Sequence, residues 1–193
     1  MKDYDLSRLN LLLVDDNKHI LSVLRTALNG LGVQSIQEAN DGAEAFDVLK
    51  RFAADIVIVD YLMSPIDGLT FTQMTRTARD SPDPSVPIIM LTANTAIRQV
   101  REARDAGVTE FLAKPITVRA LYERLLAIIE EPRPFLRCST YIGPDRRRRH
   151  DPAYTGPDRR FGQEGDVGNV KRTEHLKERL TRRETARSWR RVS

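Results

Sequence analysis

Five polar side chains stand at points where short apolar runs of the sequence stop. Each run has the length of a strand that is buried on both faces of a sheet. Parallel strands bring their carboxyl ends to one edge of a sheet, and ligands bind beyond that edge. We therefore expect three carboxylates, a hydroxyl and an ammonium to converge there: Asp15, Asp16, Asp60, Thr92 and Lys114.

These side chains together suit the chemistry of a phosphoryl group. Carboxylates crowded at one edge repel one another, by roughly 4 kcal/mol for two charges about 4 Å apart at an effective dielectric near 20. Magnesium removes that cost, since it takes oxygen ligands and accepts a phosphate oxygen beside them. An ammonium and a hydroxyl add positive charge and a donor, and a carboxylate nucleophile can accept the phosphoryl group as an aspartyl phosphate.

The elements that position these residues alternate along the first 130 residues. Apolar runs predict five strands, and the amphipathic segments that follow them predict five helices, the first and last capped by Asn17 and Thr117. The predicted strands are 9–14, 33–38, 55–60, 86–91 and 109–113, and the predicted helices are 17–31, 43–52, 68–79, 95–106 and 117–130. Right-handed crossovers then give an α/β fold, a five-stranded parallel sheet with helices on both faces.

Charge divides the 193-residue chain into two unlike parts. Residues 1–130 hold 14 Lys and Arg against 18 Asp and Glu, whereas residues 131–193 hold 17 against 9. An acidic, core-forming domain is therefore expected to carry a basic, largely disordered tail. Cys138 is the single cysteine, which excludes an internal disulfide and fits a cytoplasmic location, and no apolar run is long enough to span a membrane.

A family resemblance rests on five separated motifs. Asp15-Asp16, Asp60, Leu91-Thr92-Ala93, Phe111 and Lys114-Pro115 resemble the receiver domain of two-component response regulators, and its small single-domain chemotaxis members especially. The resemblance covers roughly residues 8–130. It implies a flavodoxin-like, doubly wound receiver domain over residues 6–130 and a cytoplasmic phosphorelay protein.

The resemblance also implies a phosphoacceptor and a magnesium site. By it, Asp60 accepts the phosphoryl group and contributes to the metal site. Asp16 is the direct Mg²⁺ ligand, Asp15 binds through water, and the backbone carbonyl of Leu62 is the third protein ligand.

The remaining motif residues receive catalytic and switch roles by the same resemblance. Lys114 pairs with the phosphoryl oxygens, the Thr92 hydroxyl shifts to bond one of them, and Phe111 turns inward when Thr92 moves. The Lys114-Pro115 peptide bond is expected to be cis. The loop after the phosphoacceptor departs from the family pattern, since its proline, Pro65, sits one place later than usual.

The tail contains an internal repeat. The segment Tyr141-Ile142-Gly143-Pro144-Asp145-Arg146-Arg147 recurs from Tyr154 to Arg160, with six of seven positions matching. Residues 131–170 are predicted to be a linker in which each Gly-Pro-Asp forms a tight turn, and 171–190 to form a short helix. Three interpretations of the tail stay open: a solvated disordered tail, a docking segment for an acidic protein surface, which includes the domain's own, and a nucleic-acid-binding segment.

The function predicted from these features is a phosphorylation-activated signalling protein. A histidine kinase or phosphotransfer protein is expected to phosphorylate Asp60 and thereby change the affinity for a downstream protein, with no enzyme activity beyond self-catalysed phosphoryl transfer and dephosphorylation. The alternative is a phosphorylation-independent scaffold or nucleic-acid-binding regulator that acts through the tail. A phosphatase of the haloacid-dehalogenase type is disfavoured, because it requires a second carboxylate where Leu62 stands.

Overall fold

A computed structural model describes residues 4–93, 97–138, 141–146 and 169–181. After a short 3-10 helix, Leu6–Arg8, the strands are β1 (Asn10–Val14), β2 (Ser35–Ala39), β3 (Ile56–Asp60), β4 (Ile88–Thr92), β5 (Glu110–Ala113), β6 (Phe135–Cys138) and β7 (Tyr141–Pro144). The helices are α1 (Lys18–Gly30), α2 (Gly42–Arg51), α3 (Gly68–Thr77), α4 (Ile97–Asp105), α5 (Val118–Glu130) and α6 (Asn169–Thr181). No helix among these ranges is both long and apolar enough to cross a membrane.

The first five strands form one parallel sheet in the order β2-β1-β3-β4-β5. This confirms the predicted architecture, and the strand limits differ from the prediction by two residues at most. The side chains of Asn17 and Thr117 accept hydrogen bonds from the first turns of α1 and α5, as a cap must, so both predicted caps are confirmed.

Alternate residues of the central strands feed two apolar cores, one on each face of the sheet. In β1, Leu11 and Leu13 pack with α1 and α5, whereas Leu12 and Val14 pack with α2 and α3. The two-residue period of a strand makes this division, and full burial on both faces explains the unbroken apolar runs of the sequence.

The segment after α5 differs from its prediction. A linker was predicted, but β6 and β7 pair antiparallel into a hairpin, and Gly143 and Pro144 lie in β7 rather than in a tight turn. The Tyr141 hydroxyl donates to the Pro144 carbonyl (2.7 Å), and the Arg146 guanidinium lies 4.0 Å from the centre of the Tyr141 ring. The second copy of the repeat lies outside the described residues.

A buried arginine anchors this hairpin to the domain. Arg76 of α3 is 1% exposed, lies over the Phe135 ring, and donates to the carbonyls of Gly107 (3.0 and 3.1 Å) and Pro84 (2.8 Å). Gly107 has φ of 96°, and a Cβ there would lie 2.8 Å from the Ile142 carbonyl oxygen. A side chain at position 107 would therefore be strained and would push the hairpin away.

The last described helix packs across the amino edge of the sheet, opposite the edge where the polar residues were predicted to converge. Leu176 and Leu180 are buried in the core beside α5, and Arg179 pairs with Asp55, just before β3. Arg172 pairs with Asp83 and donates to the Ala54 carbonyl. Two arginines of the basic tail thus contact acidic residues of the same chain. The part of the predicted 171–190 helix beyond residue 181 lies outside the described residues.

We predict that Arg76→Ala lowers the free energy of unfolding by about 3 kcal/mol, because buried carbonyls lose a charged donor. Urea unfolding at pH 7 measures this change. Arg79→Ala, which alters an exposed arginine just after the same helix, serves as the matched control and should change the value by less than about 0.5 kcal/mol. Equal effects of the two substitutions would contradict the anchoring role.

Candidate functional site

Three strands bring one ammonium and two carboxylates together at the carboxyl edge of the sheet. The Lys114 ammonium lies 2.9 Å from Oδ1 of Asp60 and 3.4 Å from Oδ2 of Asp15. Asp60 is the last residue of β3, Asp15 follows β1, and Lys114 follows β5. The sheet order places β1 beside β3, so two carboxylates distant in sequence become neighbours. Convergence of these three predicted residues is confirmed.

Burial distinguishes Asp15 from Asp16. Asp15 is 1% exposed, and its Oδ1 accepts from the backbone N–H of Asn17 at 2.9 Å, whereas Asp16 is exposed to solvent. A buried carboxylate requires a charged partner and hydrogen-bond donors, which Lys114 and Asn17 provide. Of the adjacent pair, one carboxylate is therefore buried in the site and the other is exposed to solvent.

The backbone around Lys114 is fixed on both sides. Its N–H donates to the Thr92 carbonyl at 2.9 Å, which extends the pairing of β4 and β5 by one residue. The following Lys114-Pro115 bond is cis, as expected. Lys114 itself keeps a side chain that is 24% exposed, so solvent and a ligand can reach the ammonium.

The loop after Asp60 folds back over the strand end. The N–H of Gly68 donates to the Tyr61 carbonyl (3.3 Å), and a Cβ at Gly68 would lie 2.1 Å from the Asp60 carbonyl oxygen. Only glycine fits at this close approach of α3 to β3. The Ser64-Pro65 bond in this loop is also cis, at the place where the proline is shifted from the family pattern. The sequence pattern gave no signal of that second cis bond.

The two predicted switch residues lie on neighbouring strands. Thr92 ends β4 and is 5% exposed, while Phe111 lies in β5 and is half-buried against the core of α2 and α3. Phe111 is registered with Met90, and Ala113 is registered with Thr92. Both switch residues line one surface cleft, which extends away from the carboxylates.

The charges in the site perturb one another. Burial raises the pKa of Asp15, and the charge of Asp60 adds to that rise, although the Asn17 N–H and the Lys114 ammonium oppose it. Burial works to lower the pKa of Lys114, but the hydrogen bond and charge of Asp60, with Asp15 beside it, raise the pKa above its usual value. The site therefore favours a protonated lysine and disfavours the second negative charge.

The oxygen donors near Asp60 have the chemistry of a magnesium site. No cluster of three or more His, Cys, Asp and Glu side chains ready to hold a metal occurs among the described residues. Two carboxylates, a backbone carbonyl and water nevertheless suffice for magnesium, which binds few protein ligands and keeps several waters. The buried Asp15, whose ionised form is disfavoured, supplies an oxygen that a cation would stabilise. Leu62, whose carbonyl was predicted as a ligand, is 69% exposed in the loop above Asp60.

Comparison with known proteins gives the same assignment for most of the chain. The family model described as the response regulator receiver domain matches residues 11–126. The response regulator MprA of Mycobacterium leprae is 31% identical over 126 residues, which are 65% of this chain and 53% of that protein. The chain thus spans about half the length of the curated relatives it matches.

Solved structures with the same fold include receivers of two kinds. The chemotaxis protein CheY4 of Vibrio cholerae superposes with a TM-score of 0.57 at 28% identity, over 62% of this chain and 98% of that one. The receiver domain of the sensor histidine kinase PA1611 from Pseudomonas aeruginosa, which has a magnesium ion coordinated in its active site cleft, gives 0.54 at 30% identity, over 62% and 94%. The strands β6 and β7 and the helix α6 lie on the carboxyl-terminal side of the span that the family model matches.

We predict that Asp15→Asn makes the metal-free protein more stable at pH 7, with a midpoint of thermal unfolding roughly 2–4 °C higher. The pKa of Asp15 is raised in the folded state, so its ionised form costs stability at neutral pH, and the cost shrinks as the pH falls from that raised value to the ordinary one. The difference between the two proteins should accordingly shrink on acidification.

Thermal unfolding with and without magnesium checks this prediction. Magnesium should raise the midpoint of the wild-type protein more than that of Asp15→Asn. Asp41→Asn is the matched control, because Asp41 caps α2 through two backbone N–H groups and asparagine caps equally well. A variant at position 15 less stable than wild type at pH 7 would contradict the assigned cost.

Proposed function

The chain belongs to the response regulator receiver family of two-component signalling, and on that premise we propose that Asp60 accepts a phosphoryl group from a histidine kinase or a phosphotransfer protein. The contact between the Lys114 ammonium and the Asp60 carboxylate at the sheet edge carries the proposal. That edge is where doubly wound sheets bind ligands. The family acts as a phosphoacceptor in signalling rather than as an enzyme that turns over a separate substrate.

The transfer itself forms one bond and breaks one. A carboxylate oxygen of Asp60 attacks the phosphorus of a phosphohistidine, an oxygen–phosphorus bond forms, and the nitrogen–phosphorus bond breaks, leaving its electron pair on the imidazole. Lys114 stabilises the negative charge on the phosphoryl oxygens, and its position between two carboxylates holds the ammonium in place before the donor arrives.

A metal ion completes the charge balance in this proposal. Asp15, Asp16, Asp60 and the Leu62 carbonyl are the oxygens that would hold Mg²⁺ beside the phosphoryl group. When bound, the ion supplies electrostatic stabilisation of the transferring phosphoryl oxygens. The magnesium in the receiver of the PA1611 kinase supports the same assignment here.

The signal leaves the site through Thr92 and Phe111. The Thr92 hydroxyl moves to donate to a phosphoryl oxygen, and Phe111 on the adjacent strand follows into the space that the threonine leaves. The half-buried position of Phe111, beside a cleft that Thr92 also lines, supports this coupling. Shifting a two-state equilibrium from 1:99 to 99:1 requires about 5.5 kcal/mol of preference, which several charge-assisted hydrogen bonds can supply.

The phosphorylated domain changes its affinity for a downstream protein, and its return to the resting state is hydrolysis at the same site. We propose a cytoplasmic location, where a histidine kinase would meet the protein, and the single cysteine is in keeping with it. The alternative, a phosphorylation-independent scaffold acting through the basic tail, requires arginines available to a partner. Arg172 and Arg179 of α6 instead pair with Asp83 and Asp55, so this helix of the tail does not favour it.

We predict that acetyl phosphate with magnesium adds one phosphoryl group to the intact protein and that Asp60→Asn abolishes the addition. Intact-mass spectrometry at neutral pH measures the mass increase. Lys114→Ala should slow the addition by about 100-fold or more, since one preorganised donor to a developing charge is worth that much.

Asp41→Asn is the matched control for phosphorylation as well, because it removes an aspartate that also follows a strand but lies outside the site. It should be labelled at the wild-type rate. Labelling that persists in Asp60→Asn would refute the proposal, as would labelling independent of divalent cations.

A further inference from the structure

The first copy of the internal repeat is bound at one place on the domain, which we call the repeat-docking site. We define this site as Asp105 at the end of α4, Gly107 in the loop that precedes β5, and residues 134–135. The Asp145 N–H donates to the Pro134 carbonyl (2.7 Å), and the Arg146 guanidinium pairs with Asp105 (3.4 Å). Gly107 precedes β5, so these contacts lie toward the amino edge of the sheet, away from the candidate functional site.

The side chains that the two copies share are the ones that fold the first copy and hold it in place. The Tyr141 hydroxyl donates to the Pro144 carbonyl (2.7 Å), and the same ring stacks on Arg146 (4.0 Å). A Cβ at Gly143 would lie 2.5 Å from the Tyr141 hydroxyl oxygen and 2.8 Å from the Cα of Gly107. Glycine is therefore required at that position, both within the repeat and against the domain.

The copies differ at the position after the tyrosine, which is Ile142 in the first copy and Thr155 in the second. Ile142 is half-buried, and its carbonyl oxygen is the atom that lies beside Gly107. Threonine has the same carbonyl, and its β-branched side chain suits a strand equally well. Residues 154–160 therefore carry every side-chain type that the contacts of the first copy use.

We propose that residues 154–160 are a second occupant of the repeat-docking site and replace residues 141–147 there in a minor form of the same chain. One docking site with two equivalent occupants gives two docked forms of the tail, which differ by 13 residues of chain. The exchange transfers these 13 residues from the α6 side of the docking site to the α5 side. The form that is populated thus sets the length of free chain on each side.

The length of chain after β6 decides which copy predominates. Two residues, 139 and 140, separate β6 from the first copy, whereas 15 residues, 139–153, separate it from the second. The probability of closing a flexible loop falls as roughly the 3/2 power of its length, which favours the first copy about 20-fold. The first copy should therefore occupy the site, as it does, and the second copy should replace it when the first is blocked.

The helix α6 can keep its place in both forms. After exchange, the 11 residues 158–168 would join the docked copy to α6, and such a segment spans at most roughly 36–40 Å. Arg172, in the first turn of α6, pairs with Asp83, and the carbonyl of the adjacent Pro84 accepts from Arg76, the anchor of the hairpin. The beginning of α6 thus lies near the docking site, within reach of the shorter segment.

Disulfide trapping in the full-length protein tests the proposal, because the two forms place different residues opposite β6. Ile142 is paired in register with Arg137, an exposed residue, so the exchanged form would place Thr155 there. Paired residues of antiparallel strands have Cα atoms roughly 4.5–5.5 Å apart, a separation that a disulfide can bridge. The trap carries Arg137→Cys and Thr155→Cys, with Cys138→Ser to remove the native thiol. Oxidised glutathione is the oxidant, and peptide mapping without reduction measures the rate at which the bond between positions 137 and 155 forms.

We expect Gly143→Ala, which blocks the first copy, to accelerate this bond about 10- to 20-fold, because the share of the second copy in the site rises from about one in twenty toward one. Tyr141→Ala blocks the first copy without adding an atom and should act in the same direction. Adding Gly156→Ala, which damages the second copy, should cancel the acceleration. Thermal unfolding verifies that each variant keeps a folded domain.

The matched control places the second cysteine at Gln163 instead of Thr155, in the same tail but outside the repeat. Gly143→Ala should change the rate of this control trap less than about twofold. Equal acceleration of both traps would overturn the proposal, since it would reflect a loosened tail rather than a docked second copy. Failure of Gly143→Ala and Tyr141→Ala to accelerate the trap at Thr155 would overturn it as well. These outcomes are independent of the proposed function, which the labelling of Asp60 measures separately.

Discussion

The Lys114 ammonium lies between Asp60 and Asp15, and this contact joins the ends of β5, β3 and β1 at one edge of the sheet. Two buried carboxylates repel each other, and the ammonium between them offsets that repulsion. The Lys114 side chain must therefore reach from the end of β5 past β4 and β3, and the strand order brings Asp60 and Asp15 within its reach. The short loop above Asp60, the glycine at position 68 and the backbone contact of Lys114 with Thr92 all preserve that reach.

The sequence predicts this part of the molecule well because strands buried on both faces leave an unambiguous signal. The run from Ile56 to Val59 has no polar residue, and Asp60 ends it, so strand and site residue are recognised together. Capping adds a second local signal at Asn17 and Thr117. Strand runs and helix caps depend only on residues that are neighbours in the sequence. Lys114 is predicted as a site residue for the same reason, since it stands at the end of a strand.

The hairpin was missed because its stability is not local. Pro132 and Pro134 indicate a break, and the Gly-Pro-Asp segment indicates a turn, but Phe135 is buried with its ring against Arg76 of α3. An arginine in an amphipathic helix is ordinarily assigned to the surface. Its role depends on carbonyls at Gly107 and Pro84, which come from two later loops that no periodicity connects with it.

The position of α6 sets the geometry for anything attached beyond Thr181. The helix lies over the amino ends of β1 and β3, where Asp55 accepts from both Asn10 and Arg179, on the side of the sheet remote from Asp60. A fluorescent reporter fused there would lie on the side of the domain opposite Asp60. It would leave the approach of a donor's phosphohistidine to Asp60 unobstructed. The same attachment would transmit a mechanical pull first to Leu180, which is buried in the core and accepts from the Asp5 N–H, before it strained the acceptor loop.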